Sequence, residues 1–358
     1  MNLRDIRQKE FADVWMGYKW GIIYACPRFG KIRTAILALK QLPEDISILI
    51  AYPDKKIKQS WKDDFEKWEY LNTNVTYTTH LSLKKHKDDV FDLVIVDEVH
   101  LLSEAQISAC NTLFKNTDNV LALTGTLSKW TERVLREDLN LRPIVRYSIS
   151  QAIKEGILPD YEINVITTSL DNVIKQNFNR RMLTEKKKFD QLSYVINQLQ
   201  EEGRDTKFLR FGRMRIIQKS LGKKKATIHL IQKYEKSRIL VFCGSIHIAD
   251  GIGIPSYNSV NNNKEDFDKF VAGEIKHLAV VKIGNTGVTY TPLNMVVMNY
   301  FDSNSENFAQ KVNRCMSFEY DNPDKKAKIF IITTNEPVEQ KWLKKALEFF
   351  DKSKIKYL

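Results

Sequence analysis

The sequence lacks long apolar stretches, and this absence limits where the protein can reside. None of its hydrophobic runs approaches the roughly 18 consecutive apolar residues that a membrane span needs. The first ten residues, MNLRDIRQKE, are charged and lack the apolar centre of a secretory signal peptide. We therefore expect a cytoplasmic protein with no membrane partner.

Cysteine is scarce, and the four cysteines lie far apart in the sequence. Cys26, Cys110, Cys243 and Cys315 form no CxxC pair and accompany no histidine cluster. This spacing fits neither a zinc site nor a disulfide framework. We expect all four to be small buried hydrophobic residues.

Acidic residues are outnumbered, with 44 Asp and Glu against 56 Lys and Arg and a formal net charge of +12. The excess is concentrated, because residues 171–236 contain 17 Lys or Arg and 7 Asp or Glu. Concentrated positive charge favours a polyanionic partner such as nucleic acid. A basic helical face can also be a solvated surface and nothing more, so charge alone leaves both interpretations open.

Short apolar segments rich in β-branched residues alternate with helical patterns along the 358 residues. They are GIIYA, ISILIAY, NVTYTT, DLVIVD and VLALTG in the first half, and RILVFC, HLAVV, NMVVMNY and KIFIITT in the second. Near-continuous apolar strands of this kind predict parallel sheets covered by helices on both faces. Because the length also favours two domains, we predict an α/β fold with two parallel-sheet lobes, residues 1–165 and 237–358.

The segment between the two lobes, residues 171–236, has a helical pattern instead. One helical face there carries Leu192, Val195, Ile196 and Leu199. We interpret the segment as a basic helical insertion or bridge. A further amphipathic helix is predicted in the first lobe from the spacing of Ile57, Trp61, Phe65 and Trp68.

Three short motifs in the first lobe carry residues suited to nucleotide chemistry. In CPRFGKIRTA, Gly30 and Lys31 lie between a strand and a helix start, where backbone N–H groups and a lysine charge can bind phosphate. In VIVDEVH, a buried strand delivers Asp97 and Glu98 to the sheet edge where α/β folds bind ligands. Asp97 is placed to hold Mg²⁺ through its water shell, and Glu98 to orient and deprotonate an attacking water.

The third motif, LALTGT, ends a strand in Thr124, Gly125 and Thr126. Hydroxyls at this point can bond to the neighbouring acids and report the state of a nucleotide. Taken alone, each of the three motifs is also compatible with an ordinary turn, so their order along the chain is the stronger observation.

In that order the chain resembles a superfamily 2 helicase from end to end. The resemblance is carried by Gln8, the CPRFGK loop, ILIAYP with SWKDDF, DEVH, LTGT, ILVFCGS, NTGVTY and QKVNRCMS. It is nearest to the DEAH-like branch that contains restriction-type motors and phage branch-migration helicases, which ISQAIKEGILPDYEINVI and RFGRMRII also resemble. The resemblance implies two RecA-like lobes and, if the source is a phage, an address in the host cytoplasm.

For the nucleotide, the resemblance implies ATP with Mg²⁺ bound between the lobes. Gln8 would contact adenine, His100 would sense the nucleotide, and Arg314 would reach the γ-phosphate with Gln310 four residues before it on one helical face. The metal would be held by Asp97, and the catalytic set would be Lys31, Asp97, Glu98, Gln310 and Arg314. The other nucleotide-binding residues would be Arg28, Phe29, Gly30, Ile32, Arg33 and Gly287.

For nucleic acid, the resemblance implies contacts that follow one strand across both lobes and the basic segment. These would be Pro53, Lys55, Thr126, Gly244, Ser245, Thr286, Thr289, Arg213, Arg215, Lys223, Lys224 and Lys225. Thr124 and Thr126 would also couple hydrolysis to lobe movement. DNA is expected over RNA, without sequence specificity.

Three positions depart from the family pattern. Ile32 replaces a Thr or Ser that binds Mg²⁺, Asn313 stands where Gly is usual, and Ser317 stands where a second Arg is expected. Loss of the hydroxyl predicts weaker metal binding, since Mg²⁺ readily keeps extra waters. Loss of the second Arg removes charge that stabilises the transition state of phosphoryl transfer.

Three functions are compatible with these residues, and the first is favoured because both acids are intact. The first is an ATP-driven DNA helicase or translocase. The second is a nucleotide-gated DNA clamp with little hydrolysis. The third is the motor subunit of a restriction, defence or repair assembly, whose partner nuclease or recombination and repair proteins would supply other chemistry.

Overall fold

The computed structural model describes residues 2–178, 181–261, 263–281, 293–316 and 326–358. The described chain divides into two compact units, one ending at Pro159 and the other beginning at Asp160. Each unit has its own parallel sheet covered by helices, which confirms the predicted α/β class with two parallel-sheet lobes. None of the described helices is long and apolar enough to cross a membrane.

The first unit contains a six-stranded sheet in which all paired neighbours run parallel. Its strands are β1 (Trp20–Ala25), β2 (Ile48–Tyr52), β3 (Val75–Thr79), β4 (Phe91–Asp97), β5 (Thr117–Thr124) and β6 (Pro143–Tyr147), in the spatial order β3-β2-β4-β5-β1-β6. Its helices are α1 (Leu3–Tyr18), α2 (Lys31–Leu39), α3 (Lys55–Lys67), α4 (Glu104–Phe114), α5 (Lys129–Leu139) and α6 (Ile149–Lys154), with 3₁₀ turns at His80–His86 and Val99–Leu101.

Burial explains why the inner strands of this sheet could be read from the sequence. Every residue of β2 is buried, and in β4 only Asp92 is exposed. Helices on both faces remove these strands from water, so apolar residues occupy nearly every position instead of alternate ones. The predicted segments GIIYA, ISILIAY, NVTYTT, DLVIVD and VLALTG coincide with β1 to β5.

The second unit contains a seven-stranded sheet that is also parallel at every described pair. Its strands are β7 (Asp160–Thr168), β10 (Ile239–Cys243), β11 (Ser256–Tyr257), β12 (His277–Val281), β13 (Met295–Met298), β14 (Lys326–Thr334) and β15 (Ile355–Tyr357), in the order β11-β12-β10-β13-β14-β7-β15. A separate antiparallel hairpin pairs β8 (Gln176–Phe178) with β9 (Arg181–Leu183). The helices are α7 (Glu185–Glu201), α8 (Lys207–Gln218), α9 (Leu221–Lys233), α10 (Ile246–Gly251), α11 (Lys264–Ala272), α12 (Ser305–Val312) and α13 (Pro337–Ala346), with 3₁₀ turns at Asn313–Cys315 and Lys352–Lys354.

The observed division differs from the predicted domain boundaries in two places. Strand β7, whose first six residues the sequence assigns to the first lobe, pairs with β14 and β15 of the second sheet. Helix α9 packs on the second sheet, with Leu230 and Ile231 in the same core cluster as Val241. The basic segment 171–236 contains the helices α7, α8 and α9, but it begins with the β8–β9 hairpin, and all of it belongs to the second unit and not to a separate bridge.

The cysteines occupy core positions in both units. Cys26, Cys110, Cys243 and Cys315 are free and buried, as the sequence predicts. Burial raises the pKa of the Cys26, Cys110 and Cys243 thiols to about 12, so these three remain protonated and behave as apolar side chains.

Candidate functional site

The loop between β1 and α2 has the geometry of an anion-binding turn. Helix α2 begins at Lys31, and Gly30 precedes it with φ 98° and ψ 51°. A Cβ at Gly30 would lie 2.4 Å from Nε2 of Gln8, so the turn requires glycine for both its backbone conformation and its space. The first backbone N–H groups of α2 have no partner within the helix, which leaves them available to phosphate.

The ammonium group of Lys31 lies against the acids at the end of β4. Its Nζ is 3.2 Å from Oε1 of Glu98, and both side chains are largely buried. Burial opposes the charge of Lys31, but Glu98 and Asp97 outweigh it and raise the pKa of Lys31. The lysine is therefore charged, and its ion-pair partner can change from a carboxylate to a phosphate.

Asp97 and Glu98 differ in their surroundings. Asp97 is buried, and its Oδ2 accepts a hydrogen bond of 3.1 Å from the indole N–H of Trp61. Burial, together with the charge of Glu98, raises the pKa of Asp97 to about 6. Burial also opposes ionisation of Glu98, but the charge of Lys31 outweighs it and lowers the pKa of Glu98. Glu98 is therefore the more readily ionised of the two carboxylates.

Glu98 also has an unusual backbone conformation. Its φ of 49° and ψ of 50° lie in the left-handed region, which costs a residue with a Cβ about 1 kcal/mol. Arg28, in the loop before α2, is left-handed too, with φ 68°. Backbone strain of this kind is concentrated at functional sites, where the surrounding contacts maintain it.

His100 and Thr124 connect the acids to the end of β5. Nδ1 of His100 lies 2.8 Å from Oγ1 of Thr124 and 3.4 Å from Oε2 of Glu98. The backbone N–H of Gly125 donates to the same Glu98 oxygen at 3.4 Å. Burial lowers the pKa of His100, so the imidazole is neutral near pH 7. Three loops predicted from separate motifs are thus joined in one hydrogen-bonded cluster.

Several residues that the resemblance assigns to the nucleotide have structural contacts here. The ring of Phe29 is buried against Phe11 and Tyr147, so only its backbone lines the loop. Arg33 pairs with Asp5 and lies 4.0 Å from the ring centroid of Trp68, which commits its charge elsewhere.

Ile32 is half-buried and packs against the core of the first unit. Thr34 does not replace the missing hydroxyl, because its Oγ1 donates to the carbonyl oxygen of Gly30 at 3.2 Å. The loop therefore has no side-chain oxygen at its helix start to offer to a metal.

Gln8 holds the phosphate loop and retains one polar atom without a partner. Its Nε2 donates to the carbonyl oxygen of Phe29 at 2.7 Å, and its Oε1 is buried without a hydrogen-bond partner among the described residues. An orphaned buried acceptor fits the exocyclic amine of adenine.

Two residues of this site were not identified from the sequence. Trp61 was interpreted only as a core residue of the amphipathic helix, although it also donates to Asp97. His80 is buried, and its Nε2 lies 3.0 Å from the carbonyl oxygen of Asp97. Neither has a local motif, since each depends on a contact between elements distant in sequence.

The acids fit a magnesium ion in charge and chemistry. The buried carboxylate of Asp97 and the half-buried one of Glu98 lie beside the ammonium of Lys31, and hard oxygen ligands are those that Mg²⁺ prefers. Among the residues described, no group of three or more His, Cys, Asp or Glu side chains could hold a metal ion. A single carboxylate with water and phosphate completing the shell is the usual arrangement for Mg²⁺.

The predicted nucleic-acid contacts of the first lobe have unequal access. Pro53 and Lys55 follow β2, and Lys55 is exposed at the start of α3. Thr126 is buried, and its carbonyl oxygen accepts a hydrogen bond of 2.5 Å from Oγ1 of Thr124. The hydroxyl of Thr126 is itself buried and has no hydrogen-bond partner among the described residues.

In the second lobe, Gly244 and Ser245 follow β10. A Cβ at Gly244 would lie 2.6 Å from the ring of Tyr300, and Ser245 Oγ accepts from the backbone N–H of Ile248 to cap α10. Arg314 is buried in the 3₁₀ turn that follows α12, so Gln310 and Arg314 do not share one continuous α-helix. Thr286, Gly287, Thr289, Ser317 and the side chain of Gln310 lie outside the described residues.

The basic segment contains one clear correction. Lys223 was predicted to contact nucleic acid, but it is fully buried and paired with Glu339. Its neighbour Lys224 is half-buried and Lys225 is exposed, since successive helical residues point about 100° apart.

The two predicted arginines of this segment also differ. Arg213 is half-buried beside a cavity of about 580 Å³, where it donates to Ser193 Oγ at 3.3 Å and lies 5.8 Å from the Phe189 ring. Burial lowers the pKa of Arg213, with a smaller effect from Arg210. Arg215 is exposed.

Solved structures share this architecture over nearly the full chain. The chain is similar to Saccharomyces cerevisiae Dbp5 bound to RNA and ADP BeF₃, with a TM-score of 0.56, 11% identity and coverage of 95% of this chain and 85% of that one. The Pyrococcus furiosus Hef helicase domain gives a TM-score of 0.52 at 11% identity, with 96% and 97% covered. A DEAD box protein from Methanococcus jannaschii gives 0.51 at 14% identity, with 98% and 91% covered. No protein-family model matches the sequence, and neither does any curated protein.

These similarities show that the chain shares the fold of these helicase structures, with two parallel-sheet α/β lobes. At 11–14% identity, similarity to solved structures shows the fold alone. Any inference about the helicase branch, the choice of DNA or RNA, and the activity has to come from the residues of the site.

Proposed function

We propose that the protein is an ATP hydrolase stimulated by nucleic acid, acting as a DNA helicase or translocase of the DEAH-like branch. The observation that carries the proposal is the convergence of Lys31, Asp97 and Glu98 on one side of a glycine turn, joined to the third motif through His100 and Thr124. This arrangement supplies a phosphate cradle, a metal-binding acid, a base and a link to the next loop.

In this proposal the phosphate loop and Lys31 bind the β- and γ-phosphates of ATP. Because Nζ of Lys31 lies 3.2 Å from Oε1 of Glu98, phosphate binding would have to draw the ammonium away from the carboxylate. Glu98 is then free to hold the attacking water and accept its proton. Asp97 would hold Mg²⁺, and the ion would supply positive charge beside the phosphates.

His100 and Thr124 transmit this event. When the Glu98 carboxylate changes partner, its contacts with His100 and with the N–H of Gly125 change too, and the end of β5 moves with them. Cycles of this kind would step the lobes along a strand held through its phosphates, independent of sequence and weakened by salt. The preference for DNA rests on the resemblance to restriction-type and phage motors.

A nucleotide-gated clamp with little hydrolysis is the second candidate. It is favoured by Ile32, since Thr34 is bonded to Gly30 and no hydroxyl in the loop compensates. Partner nucleases or repair proteins would belong to either function.

The deciding experiment measures ATP turnover by the purified protein with and without single-stranded DNA, forked DNA and single-stranded RNA. Glu98→Gln and Lys31→Ala are the test variants, and Lys115→Ala, on the exposed end of α4, is the matched surface control. The motor is supported if DNA stimulates ATP turnover in the intact protein and in the control variant. Both test variants should lose that turnover.

Other outcomes separate the alternatives. Absent turnover with ATP still tightening DNA binding would favour the clamp, and stronger stimulation by RNA would overturn the choice of DNA. Turnover that survives Lys31→Ala would remove the phosphate-loop assignment altogether.

A further inference from the structure

Helix α8 exposes an aromatic and basic face that its packing does not require. Its sequence, KFLRFGRMRIIQ, contains four Lys or Arg and no acidic residue. Phe208 is 84% exposed and Phe211 is 45% exposed. At about 100° per residue, Lys207, Phe208, Phe211 and Arg215 fall within an arc of roughly 100°. We call these four residues the α8 face.

The other side of the helix already meets the hydrophobic needs of the fold. Ile216 and Ile217 are buried in a cluster with Phe189 and Leu170. A Cβ at Gly212 would lie 3.7 Å from Leu192 of α7, an ordinary contact distance between two packed helices. Phe208 therefore contributes little to burial and Phe211 leaves nearly half of its surface exposed, so the two rings form one adjoining apolar patch of the kind that marks a binding surface.

The cations of the α8 face are available to a ligand. Across the described ranges, no acidic side chain forms an ion pair with Lys207 or Arg215. Asp205 is the nearest acid in sequence, and its carboxylate accepts from the backbone N–H of Lys207 at 2.8 Å. Lys219, one turn beyond Arg215, is exposed as well. The face thus alternates π-surfaces with uncompensated positive charge.

We propose that the α8 face is a stacking platform for the bases of single-stranded nucleic acid, a proposal that rests on the proposed function. Phe208 and Phe211 stack on bases, while Lys207 and Arg215 contact the adjoining phosphates. The two phenylalanines are about 4.5 Å apart along the helix axis, so neighbouring bases can use both. Stacking is indifferent to sequence, because every base has a π-face.

An anionic lipid surface is the competing ligand class, and the arrangement of the helix disfavours it. Membrane-surface helices insert a wide apolar face into the lipid. In α8 the wide apolar side is the one buried in the protein, and the exposed side places its two rings among cations.

The test compares binding of a thymidine oligonucleotide with binding of an abasic strand of the same length. The intact protein is expected to bind the base-bearing strand more tightly. Phe208→Ala with Phe211→Ala is expected to weaken that binding by roughly 30-fold or more and to leave the abasic strand nearly unaffected. Tyr18→Ala, which removes a 67% exposed aromatic ring from the first unit, is the matched control and should change neither.

Charge and stacking are separated by a second pair of variants. Lys207→Gln with Arg215→Gln should weaken both strands alike and reduce the salt slope by about 0.7 for each cation removed. Phe208→Leu with Phe211→Leu keeps apolar side chains without π-faces, so it should weaken binding of the base-bearing strand as the double alanine variant does. Unchanged thermal unfolding of each variant shows that the fold is retained.

Three results would overturn the inference. If the double phenylalanine variant binds both strands as the intact protein does, the stacking proposal is wrong. If the same preparation still shows DNA-stimulated ATP turnover, the proposed function stands independently of it. If that variant loses binding only to phosphatidylserine vesicles, the face belongs to a lipid surface. If the intact protein binds no strand and shows no stimulated turnover, both proposals fall together.

Discussion

The sharpest structural prediction concerns Lys223, which is buried although it lies in a run of three lysines. Its Nζ donates to the carboxylate of Glu339 and, at 3.1 Å, to the carbonyl oxygen of Asn299. The ammonium also lies 5.4 Å from the ring centroid of Phe301. The second oxygen of Glu339 accepts from the backbone N–H and the hydroxyl of Thr334, at 2.7 and 2.6 Å. Within the part of the chain that the structure describes, each charge is compensated by the other, by these hydrogen bonds and, for the ammonium, by the Phe301 ring.

Lys223→Met removes the cation and leaves the Glu339 carboxylate buried and uncompensated. Breaking a buried ion pair from one side costs about 3–5 kcal/mol. That is a large share of the roughly 5–15 kcal/mol that stabilises a domain. At about 2–4 °C per kcal/mol for a unit of this size, the unfolding temperature of the second unit should fall by roughly 6–20 °C.

Thermal unfolding followed by circular dichroism measures this effect, with two controls. Lys225→Met changes an exposed lysine of the same helix and should alter stability by no more than about 0.5 kcal/mol. Lys223→Met combined with Glu339→Gln removes both charges and keeps an acceptor for Thr334, so it should recover much of the loss.

The outcome that contradicts this reasoning is equally specific. If Lys223→Met unfolds within about 2 °C of the parent protein, the lysine is not in a buried pair. If it weakens nucleic-acid binding without lowering the unfolding temperature, Lys223 is a surface contact after all and the sequence prediction was right.

Three further predictions concern the nucleotide site. Trp61→Phe keeps an aromatic ring but removes the N–H that donates to Asp97, so about 10-fold more Mg²⁺ should be needed for half-maximal ATP turnover. An unchanged Mg²⁺ titration would mean that Asp97 does not depend on this hydrogen bond for its orientation. Ile32→Thr restores a hydroxyl at the start of α2 and should lower that Mg²⁺ requirement, whereas a higher requirement would show that the loop cannot use one. Thr124→Val leaves Nδ1 of His100 without its hydroxyl partner and should destabilise the first unit by about 1–3 kcal/mol in urea unfolding. The same variant should lose more of the nucleic-acid stimulation than of the basal turnover, and equal losses would argue against a relay through this pair.

The sheets were predictable because a strand buried on both faces has apolar residues at nearly every position, and such a run is visible in the local sequence. Strands β2 and β10 are buried at every residue, and β4 is exposed only at Asp92. Strand β7 was missed because its DYEINVITT sequence mixes polar and apolar residues, as its partly exposed burial pattern requires. A strand of that kind is recognised only by its partners, β14 and β15, which follow it by more than 150 residues.

The site was predictable as a set of loops but not as a set of contacts. Gly30, Lys31, Asp97 and Glu98 stand at strand ends, and parallel strands bring their carboxyl ends to one edge. Which member of the lysine run 223–225 faces inward depends on helical phase relative to a core that the sequence does not describe. The same limit hides the contact of Trp61 with Asp97, since an indole in an amphipathic helix is normally explained by packing alone.

At Glu98 the residue type that suits the left-handed backbone differs from the residue type that the proposed chemistry needs. At φ 49° and ψ 50°, glycine or asparagine would occupy this position with less strain, and neither would bring an acid beside Lys31 and His100. A chain selected only for stability has no reason to keep glutamate there. Glutamate at this position therefore carries a cost to the fold, and the proposed role of its carboxylate as a base gives that cost a purpose.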